Sequence, residues 1–240
     1  MKAIILAAGK GERLKDITQD LPKPMINYKG KPLLEHNIEL CKSHGIKDIY
    51  INLHHLPAKI KSYFMNGENL GINIKYSFES IPLGTSGAVK KIASDYWDND
   101  SDSDEFFFVV YGDNFSNYDF TSIQKKLKDT NSLAAIAFHY RQDTSHSGVA
   151  EFDVNHRIMK FIEKPKPGES NSHWVNAGIY CLKKEILSFI PDGFSDFSKD
   201  IFPELLRTNQ PIYGVCKETD VKAFDTPEMY TQNIKKINRL

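Results

Sequence analysis

Residues Ala3-Ile4-Ile5-Leu6-Ala7-Ala8 form an uninterrupted apolar run that opens directly into Gly9-Lys10-Gly11-Glu12-Arg13-Leu14. A short apolar run closed by glycine reads as a strand buried on both faces, which places it inside a parallel sheet covered by helices. Glycines at its carboxyl end let backbone approach a ligand closely and turn N–H groups toward anionic oxygens. Arg13 and Lys23 add full positive charges, and Pro22 and Pro24 are expected to hold Lys23 in a stiff, extended stretch. Together these residues have the chemistry of a polyphosphate cradle. Two better-known phosphate loops do not fit. A P-loop needs Ser or Thr after Gly-Lys, where this chain has Gly11, and the dinucleotide fingerprint wants a third glycine where it has Leu14.

Strand-like and helix-like segments alternate behind that loop. Helices are expected over Pro32 to His44, Ala58 to Phe64 and Gly84 to Ser94, and strands over Ile46 to Leu53, Ile72 to Ser77 and Phe106 to Tyr111. This order argues for an α/β fold with a mostly parallel sheet flanked by helices, whose ligands bind beyond the carboxyl ends of the strands. The second half reads as strands over Leu133 to His139, Gly148 to Asp153, Ile158 to Glu163 and Trp174 to Leu182, with a hairpin around Asn155-His156. Helices follow over Lys183 to Phe189, Phe197 to Arg207 and Pro227 to Ile237. No linker or compositional change marks a boundary, so one domain is expected over 1–240. The acidic tract Asp98 to Glu105 lacks the glycine and closing glutamate of a calcium loop and reads as a solvated turn.

Composition excludes more than it assigns. The formal net charge is zero, which gives no footprint for nucleic acid or an anionic membrane surface. Cys41, Cys181 and Cys216 are odd in number and widely spaced, as reduced thiols of a cytoplasmic protein would be. The first apolar run is too short for a membrane span. His54 and His55, adjacent and facing opposite sides of a strand, are poorly placed to share a metal.

The strand, the Gly-x-Gly-x-Arg-Leu loop and the Pro-Lys-Pro step together resemble the sugar-1-phosphate nucleotidyltransferases, enzymes that make nucleotide sugars such as GDP-mannose. The resemblance covers nearly the whole chain. It implies a Rossmann-like nucleotide-diphospho-sugar transferase fold, with a nucleotide-binding half over about 1–130 and a sugar-phosphate half over about 131–240. It places Ala7, Ala8, Gly9 and Gly11 against the nucleotide, and gives Arg13 and Lys23 catalytic roles on the triphosphate. Asp113, after the apolar strand Phe106 to Tyr111 and Gly112, matches the family's metal aspartate and is also counted as catalytic. The implied cofactor is Mg2+, which takes only one or two protein carboxylates beside phosphate.

A second carboxylate is implied just before the last helix. Aligned without gaps it would fall on Ala223, whereas Asp225 stands two positions closer to Thr226-Pro227. Asp225 is assigned to the metal, and the alternative is that Asp225 or Thr226 caps the helix. Pro82-Leu83-Gly84-Thr85-Ser86-Gly87 resembles the segment near base and ribose, so Gly84 and Thr85 are assigned to the nucleotide. Glu79 is either a reader of a base amino group or a surface residue. The resemblance assigns Gly148, Glu163, Lys164, Asn176 and Gly178 to the sugar phosphate, with Lys164 neutralising its charge. Ile51 to Pro57 and Tyr111-Gly112-Asp113-Asn114 look most like mannose-1-phosphate guanylyltransferase-like sequences, which favours GTP. Cytidylyl or uridylyl transfer, an alcohol phosphate acceptor, and a regulatory module that binds without catalysis are the rivals. A homo-oligomer is compatible with the family.

Overall fold

The computed structural model describes residues 1–97 and 104–237. The chain divides into two compact units built from discontinuous segments: 1–82, 110–117 and Asp220 onward in the first, 83–109 and 118–219 in the second. Among the described residues no helix is long and apolar enough to cross a membrane.

In the first unit, strands Lys2–Leu6, Asp48–Leu53 and Asn73–Phe78 run parallel, in register from Lys2 opposite Asp48 to Leu6 opposite Asn52, and Asn52 opposite Ser77. Their carboxyl ends therefore align along one edge, where ligands of parallel sheets bind. Ala3, Ile4 and Ile5 have no solvent exposure, as a strand covered on both faces requires. The N–H of Gly112 donates to the Leu6 carbonyl at 2.9 Å, bringing the end of strand Phe106–Tyr111 beside the first. A Cβ on Gly112 would stand 2.9 Å from that same oxygen, so only glycine permits this approach. Helix Leu33–Ser43 buries Leu33, Leu34, Ile38 and Cys41 on one face, and helix Pro57–Phe64 buries Ile60 and Phe64 one turn apart.

In the second unit, hairpin strands Gly148–Phe152 and Ile158–Glu163 pair antiparallel around the expected turn. Strand Trp174–Lys183 pairs antiparallel with Ala134–Tyr140, and Ile212–Lys217 pairs parallel with the same strand, which gives a mixed sheet. The α/β class and the flanking helices are those expected.

Several local expectations need correction. Lys23 does not lie in an extended stretch. It opens a 3-10 turn, Lys23–Met25, after Pro22 at φ −59° and ψ 139°. Pro24 fits there because the first residues of a turn need no N–H donor. His54 and His55 lie beyond their strand, one ring on the Glu79 carbonyl and the other on that of Thr18. The helix expected over Phe197 to Arg207 is a π turn, Phe197–Ile201, leading into an α-helix, Phe202–Arg207. Pro203 has no N–H for an α-type bond to the Lys199 carbonyl, and the wider turn absorbs the loss. Helix Phe120–Thr130 and strand Ile212–Lys217 were not anticipated. Of the acidic tract, Asp98 to Ser103 lie outside the described residues.

Candidate active site

The glycine loop is held by backbone geometry rather than by bulk. Gly11 sits at φ +65°, and its carbonyl accepts from the Leu14 N–H at 2.8 Å and from Thr18 Oγ1 at 2.9 Å. A Cβ here would meet Thr18 Cγ2 at 2.8 Å, so Gly11 is required twice, by torsion and by contact. Ala8, Gly9, Gly11, Arg13, Lys23, Asp113 and Asp225 line one cavity of about 520 Å³, within the size range of small-molecule sites. Arg13 is exposed on its rim.

Behind the loop, the Ala7 N–H donates to Asn52 Oδ1 at 2.7 Å, and Asn52 Nδ2 donates to Glu79 Oε1 at 2.7 Å. Asn52 and Glu79 are 3% and 2% exposed. The Ala7 amide is thus engaged inside the protein, and Glu79 is neither a surface residue nor part of the cavity wall. Asn52 was not singled out from the sequence, although a lone amide in the apolar run Ile49 to Leu53 was a usable signal, since a buried polar group needs a partner.

The charge centre is Lys23. Its ammonium donates to Asp113 Oδ2 at 2.6 Å and to Asp225 Oδ1 at 2.5 Å, and the residue is 5% exposed. Burial by itself would push the amine down, but the charges and hydrogen bonds of Asp113 and Asp225 reverse this and hold it above its ordinary value. A short antiparallel ladder brings the two aspartates together: Val221 opposes Ser116, and Ala223 opposes Asn114. Asp113 precedes one strand of this ladder and Asp225 follows the other. Ala223, where an ungapped alignment would put the carboxylate, is a ladder residue. Thr226 Oγ1 accepts from the Met229 N–H at 3.3 Å, a cap at the start of helix Pro227–Ile237.

A small aromatic core lies under these residues. Leu14, Ile26, Tyr28, Leu33 and Phe224 are buried together, with Phe115 and Tyr230 packed on them. The Tyr28 ring lies 4.9 Å from Phe115 and 5.3 Å from Phe224. Arg13 precedes Leu14 and Asp225 follows Phe224, so hydrophobic packing fixes where the charged groups emerge.

The second unit carries the remaining candidates. Gly84, at φ +74°, brings backbone against Ser195, whose carbonyl accepts from the Ser86 and Gly87 N–H groups at 3.0 and 3.2 Å. The Thr85 hydroxyl donates to Asp196 Oδ1 at 3.0 Å and accepts from the Phe197 N–H. These partners, Ser195 to Phe197, were missed because a side chain 111 positions away in sequence leaves no local pattern. Gly148 lies directly against Glu163, where a Cβ would meet the carboxylate at 2.8 Å. Burial pushes the Glu163 carboxyl above its ordinary value, while Lys164, Lys199 and a Ser198 hydrogen bond oppose that and Asp196 adds to it. Lys164 itself has φ +54°, with its N–H on the Ser147 carbonyl. Asn176 donates to the Tyr180 hydroxyl at 2.7 Å and accepts from the Gly178 N–H at 2.9 Å.

Among the described residues there is no group of three or more His, Cys, Asp or Glu placed to hold a metal. Two carboxylates converging on one buried cation are nonetheless the donor set that a phosphate-bound divalent ion uses, its remaining ligands being phosphate and water.

A family model described as nucleotidyl transferase matches residues 2–223. The chain is 37% identical over 227 residues to a UTP–glucose-1-phosphate uridylyltransferase from Synechocystis, covering 90% of this chain and 58% of that protein. It is 36% identical over 212 residues to a D-glycero-alpha-D-manno-heptose 1-phosphate guanylyltransferase from Campylobacter jejuni, covering 87% of this chain and 86% of that protein. It thus spans only about three fifths of the cyanobacterial relative. The crystal structure of HddC from Yersinia pseudotuberculosis complexed with GMP-PN superposes with a TM-score of 0.80 at 25% identity, covering 98% of this chain and 99% of that one.

Proposed function

Because the chain belongs to the nucleotidyl transferase family, we propose that it transfers a nucleotidyl group from a nucleoside triphosphate, GTP by preference, to a sugar 1-phosphate. The products are a nucleotide sugar and pyrophosphate. The observation that carries this reading is the convergence of Lys23, Asp113 and Asp225 in the cavity under the glycine loop.

An oxygen of the sugar phosphate, ionised near neutral pH, attacks the α-phosphorus. Its new bond replaces the bond to the bridging oxygen, and pyrophosphate leaves. No general base is needed, so the protein's work is positioning and charge neutralisation. Lys23 is assigned to the α-phosphoryl group, and Arg13 with the amides of Ala8 to Gly11 to the β- and γ-phosphates. Asp113 and Asp225 would hold a divalent cation, magnesium by this reading, which when bound supplies positive charge to the phosphate oxygens. Gly84 and Thr85 are assigned to base and ribose, and Glu79, buried on Asn52, supports the loop from behind rather than reading the base. In the sugar-binding half, Lys164 holds the second phosphate, Glu163 accepts from sugar hydroxyls, and Gly148, Asn176 and Gly178 shape the pocket. Free Cys41 and Cys216, each pushed up to about 12 by burial, suit a reducing, cytoplasmic setting.

The uridylyl relative favours UTP as the second choice of donor. The rival reading of a non-catalytic binding module rests on Ala223, and Asp225 standing beside Lys23 supports the catalytic reading against it. The test is pyrophosphate release with magnesium across four triphosphates and several sugar 1-phosphates. GTP with a mannose- or heptose-type phosphate should give the highest rate. Nucleotide binding without pyrophosphate from any pair would overturn the catalytic reading.

A further inference from the structure

We infer that Lys23 and the divalent cation compete for one seat, so that metal occupies the Asp113–Asp225 pair only as Lys23 leaves it. This rests on the reading of those aspartates as metal ligands. Both carboxylates aim an oxygen at the Lys23 ammonium, at 2.6 and 2.5 Å, and the lysine side chain is 6% exposed. The Asp113 and Asp225 side chains are 29% and 24% exposed, so solvent and ions reach the carboxylates, whereas the buried ammonium has no water to take their place. A divalent ion held by both carboxylates, at a little over 2 Å from an oxygen of each, would lie between the same two groups, against the ammonium now in contact with both. The two cations therefore exclude one another by contact as well as by charge.

The 3-10 turn Lys23–Met25 fixes the backbone below the side chain, with the Met25 N–H on the Pro22 carbonyl and the Ile26 N–H on that of Lys23. The side chain alone must move. A nucleoside triphosphate offers the displaced ammonium new anionic oxygens in the same cavity, whereas water does not. The free protein therefore binds divalent metal weakly, the metal–triphosphate complex binds well, and one ammonium links the two events. Metal and triphosphate binding are then cooperative in the thermodynamic sense, each raising affinity for the other.

The test is Mn2+ affinity, read by the EPR signal of the free ion with no nucleotide present. Lys23→Met should bind Mn2+ at least tenfold more tightly than the unmodified protein, and adding Asp113→Asn should erase the gain. An affinity unchanged or lowered in Lys23→Met overturns the inference. The reading beneath it is judged separately. If Asp113→Asn and Asp225→Asn still weaken Mn2+ binding in the nucleotide complex, the aspartates remain metal ligands and only the competition falls. If neither has an effect, that reading fails and takes the inference with it. Should Lys23→Met not fold, the unmodified protein decides by NMR of its 15N-labelled lysine ammonium groups. Titration with Mg2+ should remove the Lys23 ammonium signal from its protected position, and a signal that persists unmoved at metal saturation overturns the inference.

Discussion

Asp225→Asn separates metal binding from structure, because the hydrogen bonds of the site divide the two. Lys23 keeps Asp113 at 2.6 Å, and the asparagine oxygen still accepts from the ammonium in place of the carboxylate now at 2.5 Å. The bond keeps its charged donor and loses only the charge on its acceptor, so no more than about 1 kcal/mol of stability should be lost. For a chain of this length that is a fall in melting temperature of about 2–4 °C. The helix start should be untouched, since Thr226 Oγ1 accepts from the Met229 N–H there and asparagine keeps an oxygen able to accept as the carboxylate does. Turnover is another matter. Removing a charge that holds a hard cation should lower kcat at least about 100-fold, equivalent to about 2.7 kcal/mol, with partial recovery at high magnesium. Pyrophosphate release at saturating substrates and thermal unfolding measured on one preparation supply both numbers. The control is Thr226→Ala, which should cost about 1 kcal/mol of stability and leave kcat unchanged. If Asp225→Asn turns over normally while Asp113→Asn is inactive, one carboxylate serves the metal and the reasoning is wrong.

The other predictions are briefer. Gly84→Ala combines φ +74° with a Cβ 2.3 Å from the Ser195 carbonyl, and forfeits the two N–H bonds to that oxygen. It should cost about 3–4 kcal/mol in denaturant unfolding, whereas Gly9→Ala, with nothing within 4 Å, should be silent there yet weaken triphosphate binding. Arg13→Ala should depress kcat far more than affinity for sugar phosphate, and Lys164→Ala should raise the KM for sugar phosphate with triphosphate binding intact; steady-state kinetics with each substrate varied would expose a reversal. Glu163 has a raised carboxyl, so its buried charge opposes folding once pH climbs through the folded-state value. Glu163→Gln should therefore raise the melting temperature at pH 7, and the gain should vanish as pH falls below the ordinary carboxylate value; equal melting temperatures at pH 7 would refute the burial argument.

What could be read from the chain was whatever is written locally. The first strand and its glycine loop declare themselves by an apolar run and a torsional need, and helix Pro227–Ile237 by proline at its first turn. Helix Phe120–Thr130 has its signals, with Phe120, Ile123 and Leu127 on one face and Asp119 accepting from the Thr121 N–H, but its remaining residues are polar and also suit a solvated loop. Strand Ile212–Lys217 was hidden by Pro211 and by Gly214, which reads as a breaker. Its reason is distant: a Cβ on Gly214 would sit 2.3 Å from the Phe152 ring. Whether Asp225 meets Asp113 was undecidable from sequence, since it depends on a ladder with three residues on each side, too short to show any periodicity.

That ladder and the aromatic core beneath it also set a schedule. Lys23 and Asp225 are separated by 202 residues. At ordinary rates of synthesis the glycine loop leaves the ribosome about 10–40 s before the segment that anchors it. During that interval Leu14, Ile26 and Tyr28 lack Phe224, and Lys23 lacks one of its two carboxylates. The glycine loop therefore gains its packing partner and its second carboxylate only when the segment around Phe224 and Asp225 arrives. A chain interrupted before residue 220 keeps every residue of the glycine loop but none of the ladder's second strand, so a finished charge centre certifies that synthesis has passed Asp225.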